Sequence, residues 1–107
     1  MLSAVVNDPI LKGFRVGVSE AFGDRLERVV LFGSRARGDA RSDSDYDVAV
    51  FLRDIADRFA DMDRLADLST HILIETGEFI HAMPYRAGSY NERTPLMFEI
   101  RAYGIDL

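Results

Sequence analysis

Leu31 to Val50 reads LFGSRARGDARSDSDYDVAV, an apolar strand that breaks into a polar turn and resumes as a second apolar strand. Glycine directly after a buried strand lets the backbone reverse sharply and lets a ligand approach its N–H groups. Ser34 is predicted to cap a short helical turn formed by the following residues, with a hydroxyl free to donate to a phosphate. Backbone N–H groups at such a start attract anions, and Arg35 and Arg37 add positive charge beside them. Asp45 and Asp47 are two apart, so on an extended chain both carboxylates point to one face. Two carboxylates on one face make a hard-oxygen site suited to Mg²⁺. Such a site facing a phosphate cradle is equipment for nucleotidyl or phosphoryl transfer. Asp47 stands inside the run Tyr46 to Leu52, where a carboxylate is costly unless it is paired or metal-bound.

Working outward, Arg28 to Phe32 is read as the first buried strand and Tyr46 to Leu52 as the second. Asp8 followed by Pro9 opens a helix through Ile10, Leu11, Phe14, Val18 and Phe22, closed by Gly23. Residues 57 to 75 place Phe59, Met62, Leu65, Leu68, Ile72 and Leu73 at helical spacing, which predicts an amphipathic helix ended by Gly77. Glu78 to Met83 is read as a third strand stopped by Pro84, with loop from 84 to 93. Thr94 and Pro95 then open a last helix through Leu96, Met97, Ile100 and Tyr103. The expected architecture is one α/β (α+β) domain over residues 1–107, a small mixed β-sheet flanked by helices.

Composition bounds the function. At 107 residues with 48% hydrophobic and 29% charged residues, the chain is an ordinary globular domain. The absence of cysteine removes disulfides, thiolate zinc sites and thiol nucleophiles together. No apolar run approaches the roughly 18 residues of a membrane span. The opening MLSAVVNDPI lacks the pattern of an export signal, so a cytoplasmic location is expected. A net charge of −5 argues against direct binding of nucleic acid. Twelve of the 13 cations are Arg, and three of them fall between residues 35 and 41.

Gly33-Ser34, ten intervening residues, then Asp45-x-Asp47 on a strand resembles the signature of the polymerase-β nucleotidyltransferase superfamily. The fuller string GSRARGDARSDSDYDVAV is most similar to its small stand-alone members, the minimal nucleotidyltransferases that act as antitoxins in HEPN/MNT toxin–antitoxin pairs. The resemblance implies a polymerase-β-like fold. It implies that Gly33 and Ser34, with Arg35 and Arg37, hold ATP. Asp45 and Asp47 would bind Mg²⁺ or Mn²⁺. The reaction implied is AMP transfer to a HEPN ribonuclease toxin, on a tyrosine hydroxyl.

The family places a third carboxylate on the next strand, and here that position is His81. Three readings stay open. His81 acts as base or metal ligand, favouring Mn²⁺ over Mg²⁺. Glu78 supplies the carboxylate instead, although its odd spacing to His81 turns the two to opposite faces. Or the site is degenerate, and the protein neutralises a toxin by stoichiometric binding through exposed Met97, Phe98, Ile105 and Leu107. A small-molecule nucleotidyltransferase is a further alternative. Asp39 and Asp43 are expected to act as local caps or as partners for Arg37 and Arg41, His71 to be a boundary residue within the second long helix rather than a ligand, and Tyr46 to face the core.

Overall fold

The computed structural model describes residues 7–107, so most of the segment read as lacking an export signal lies outside the described residues. Asp8 accepts from the Ile10 N–H and starts α1 (Pro9–Phe22), with Pro in its first turn and Gly23 at its end. A short 3₁₀ turn leads into β1 (Leu26–Phe32). A four-residue helix α2 (Ser34–Arg37) follows, then β2 (Tyr46–Leu52). After α3 (Arg58–Thr76) come β3 (Ile80–Arg86), a 3₁₀ turn over Ala87–Asn91, α4 (Pro95–Tyr103) and β4 (Ile105–Asp106).

The four strands lie in the order β3-β2-β1-β4. β1 is antiparallel to both β2 and β4, and β2 is parallel to β3, so the sheet is mixed. Alternation along β2 divides the core. Tyr46, Val48, Val50 and Leu52 pack with Leu11, Phe14 and Val18 of α1 and Leu65 of α3 on one face. Ala49 and Phe51 pack with Met97 and Ile100 of α4 on the other. Asp47, in step with Ala49 and Phe51, therefore belongs to the α4 face.

Several boundaries differ from the sequence reading, each for a physical reason. β1 begins at Leu26 rather than Arg28, with a register irregularity between them that absorbs the polar Glu27. Pro84 does not stop β3; it is buried within the strand opposite Val50, and the expected loop from 84 is strand to Arg86 and then 3₁₀ turn. The Tyr46 N–H donates to the Phe79 carbonyl at 3.0 Å. That sets odd-numbered residues of β3 toward β2 and turns the Pro84 nitrogen to the open edge, where a missing donor breaks no ladder bond. β4 was not expected at all. Met97 is buried, and Ile105 and Leu107 are half-buried against the core, so of the proposed C-terminal binding surface only Phe98 is exposed.

The α3 apolar residues also separate. Leu65 is buried and Leu68 and Ile72 pack against the core, whereas Phe59 and Leu73 are exposed. The helix carries two apolar stripes, not one.

Candidate active site

Gly33 leaves β1 with φ 75° and ψ −157°, a conformation open essentially to glycine. Its carbonyl accepts from the Ala36 and Arg37 N–H groups, and that of Ser34 accepts from Gly38 and Asp39, which winds Ser34–Arg37 into one turn. Gly38, left-handed at φ 84°, closes it. The cap is thus Gly33 rather than the expected Ser34, and among the described residues no side-chain oxygen caps the turn's leading N–H groups.

Register brings the catalytic candidates together at this end. Phe32 pairs with Asp47, and Asp47 pairs with His81. A Cβ built on Gly33 would overlap Asp47 Oδ2 and crowd its Cγ at 3.2 Å, so the glycine backbone lies directly on the carboxylate. His81 Nδ1 stands 3.7 Å from Asp47 Oδ1, with an imidazole 60% exposed. Burial raises the Asp47 carboxyl above its ordinary range; His81 opposes the shift, while Asp45 and Glu99 add to it. Asp45, just ahead of β2, is exposed.

Gly33→Ala tests this packing. The alanine is expected to cost about 2 kcal/mol in backbone strain, lowering the melting temperature by about 10 °C. It should also displace the Asp47 carboxylate. A variant that melts with the wild type would show that the close approach is not real.

The remaining candidates go elsewhere. The Arg35 guanidinium donates twice to the Ser44 carbonyl, at 2.6 and 3.0 Å. It also stacks 4.0 Å over the Tyr46 ring and lies 3.8 Å from Glu78. Arg35 clamps the polar loop just before Asp45, and Glu78 faces this clamp rather than Asp47. The Tyr46 hydroxyl donates to Asp8 at 2.7 Å. Burial and this acceptor push its pKa up to about 12. Arg37 reaches Glu99 at 3.2 Å and Asp39 at 3.4 Å. No Arg41–Asp43 pair forms among the described residues, and His71 is exposed. Glu99 is the residue that sequence reasoning missed. It sits on α4, over 50 residues from the motif, and only the packing of α4 on the sheet brings it to Arg37 and Asp47.

Oxygen donors on Asp45 and Asp47, beside a glycine turn with open N–H groups, fit a hard divalent cation whose other ligands are phosphate oxygens and water. Among the described residues no three His, Asp or Glu side chains gather into a ready cage. Such a cation would depend on the substrate to complete its shell.

The family model "Polymerase beta, Nucleotidyltransferase" matches residues 20–86. Two proteins of Methanocaldococcus jannaschii assigned as protein adenylyltransferases are similar to this chain. One is 26% identical over 98 residues, covering 92% of this chain and 95% of the relative. The other is 30% identical over 83 residues, covering 78% and 77%. In fold, the chain is similar to a toxin–antitoxin crystallised with AMP-PNP, with a TM-score of 0.61 and 19% identity over 87% of this chain and 68% of that one. It is likewise similar to a chain from the complex of the tri-AMPylated Shewanella oneidensis HEPN toxin with its MNT antitoxin, with a TM-score of 0.54 and 16% identity over 91% and 70%. No helix of the described residues is long and apolar enough to cross a membrane.

Proposed function

The chain belongs to the polymerase beta nucleotidyltransferase family, and from that premise we propose that it transfers AMP from ATP to a hydroxyl of a partner protein, a HEPN-type toxin, in the cytoplasm. The observation that carries this reading is the convergence of Gly33, Asp47 and His81 at one sheet end, with Gly33 lying on the Asp47 carboxylate. The names of the relatives support the class of reaction, and the structural neighbours support the class of partner.

Asp45 and Asp47 would hold Mg²⁺ or Mn²⁺, which supplies charge neutralisation to the phosphates. The N–H groups at the start of α2 bind the triphosphate beside Gly33 and Ser34. The acceptor oxygen attacks the α-phosphorus, the new O–P bond forms, and the bond to the departing pyrophosphate breaks. His81 as neutral imidazole takes the acceptor's proton, and Asp47 at 3.7 Å steadies the resulting cation. Arg37, held by Glu99, lends positive charge at the turn.

A second reading is favoured by one observation, the imidazole where the family carries a third carboxylate. The chain would then neutralise its partner by binding alone. Transfer of radiolabelled AMP from ATP to a purified HEPN-type partner protein separates the two. His81→Ala is expected to lower transfer by about 100-fold, and His81→Asp to support it in Mg²⁺. Absence of label on the partner with either metal, for wild type and His81→Asp alike, would give the binding reading precedence.

A further inference from the structure

We infer that the second apolar stripe of α3, with the groove between α3 and the open edge of β3, seats an amphipathic helix of the protein that receives the nucleotidyl group, a helix with basic residues along its flank. This rests on the proposed function and adds the face on which the partner lies. Along α3, Leu65, Leu68 and Ile72 follow the core stripe. Phe59, Met62, Ala66, Thr70 and Leu73 follow another, rotated by about a third of a turn. Their three- and four-residue spacing is that of a helix-packing seam. Phe59 is 77% exposed and Leu73 42% exposed, and nothing in the described chain covers them.

The stripe is continuous with the active site. A groove of 230 Å³ between α3 and the edge of β3 is lined by Met62 and Ala66 on one side and by Phe79, His81 and Met83 on the other. His81 lines both this groove and the approach to Asp47. A chain lying on the stripe would therefore bring its hydroxyl-bearing end to the imidazole.

Two features select a helix with a basic flank. An extended peptide added to the β3 edge would meet the Pro84 nitrogen, which has no proton to give; a helix on α3 asks for no backbone bond. Asp63 and Asp67, exposed and four apart, border the stripe and join no ion pair among the described residues. They complement a cationic partner. A second copy would bring its own charge of −5 to the contact, which opposes self-pairing.

The test uses the full chain and the HEPN-type partner protein of the transfer assay. Phe59→Glu places an acid in the first turn of α3, where the helix dipole favours it, and Ala66→Glu changes an exposed site. Both should keep the wild-type circular dichroism and the Mg²⁺–ATP thermal shift. Each is expected to weaken the complex by about 30-fold and to lower transfer at limiting partner in parallel, while Val16→Glu, on the exposed side of α1, changes neither. Binding within about twofold of wild type for both stripe variants would overturn the inference. So would a wild-type homodimer that Ala66→Glu disperses, because the occupant would then be a second copy. Loss of binding in the stripe variants, with no nucleotide shift even in the wild type, would support the surface and overturn the enzymatic reading alone.

Discussion

Asp47→Asn is expected to lower AMP transfer roughly 1,000-fold while leaving the melting temperature unchanged or a few degrees higher. The two effects share one cause. Asp47 sits where β2 begins, half-buried beneath Gly33, and burial, Asp45 and Glu99 all resist its ionisation. Its folded-state pKa is raised, so at neutral pH the folded chain holds this charge at a cost that the unfolded chain does not bear. A neutral amide of the same shape removes that cost. It also removes the anionic oxygens that a divalent cation requires, and the negative charge that would steady a protonated His81. Transfer assays paired with thermal melts read both quantities. Retention of more than a tenth of the activity would remove Asp47 from the mechanism, and a large fall in melting temperature would make it a structural residue. The expected pattern, activity lost and stability kept or gained, is that of a group placed for chemistry against the preference of the fold.

The stretch from Leu31 to Val50 made both the turn and its carboxylates legible because each signal there is local. A glycine follows an apolar run, and an Asp interrupts the start of another. What was not legible depended on contacts between distant segments. Glu99 looked like an ordinary polar residue of α4, since nothing near it in the chain marks its approach to Arg37. Arg35 belonged to a cationic cluster by sequence, yet the ten-residue loop folds back and presents it with the Ser44 carbonyl and the Tyr46 ring. Pro84 carried a strand-breaking signal that fails on an edge strand, where its nitrogen faces away from the ladder. β4 is two residues long, too short for any periodicity, and exists because β1 offers a free edge. In α3 the apolar spacing was seen correctly but assigned to one face. Helical spacing alone does not tell a wide stripe from two stripes, and the exposure of Phe59 and Leu73 does.

Arg25→Ala is expected to lower the stability of the fold by about 3–5 kcal/mol. Asp61 lies one helical turn before Leu65 on the core stripe of α3 and is 4% exposed, a carboxylate at a position that periodicity reserves for an apolar side chain. Arg25 meets it with both terminal nitrogens, at 3.0 and 2.7 Å. It also donates to the carboxylate and the carbonyl of Asp54, at 2.7 and 2.8 Å. One guanidinium thereby ties the turn before β1, the loop after β2 and the first turn of α3. The paired carboxylates hold it charged well above the usual arginine range. The exposed Asp54 bond is worth little, so most of the effect comes from leaving Asp61 buried and unpaired. Against a total stability of about 5–15 kcal/mol, the melting temperature should fall by about 15–30 °C, measurable by circular dichroism. The double change Arg25→Met, Asp61→Leu should recover most of the loss, because it removes the buried charge together with its partner. A single variant melting within a few degrees of wild type would show that water reaches Asp61. A double variant no better than the single one would place the stabilisation in the Asp54 contacts instead.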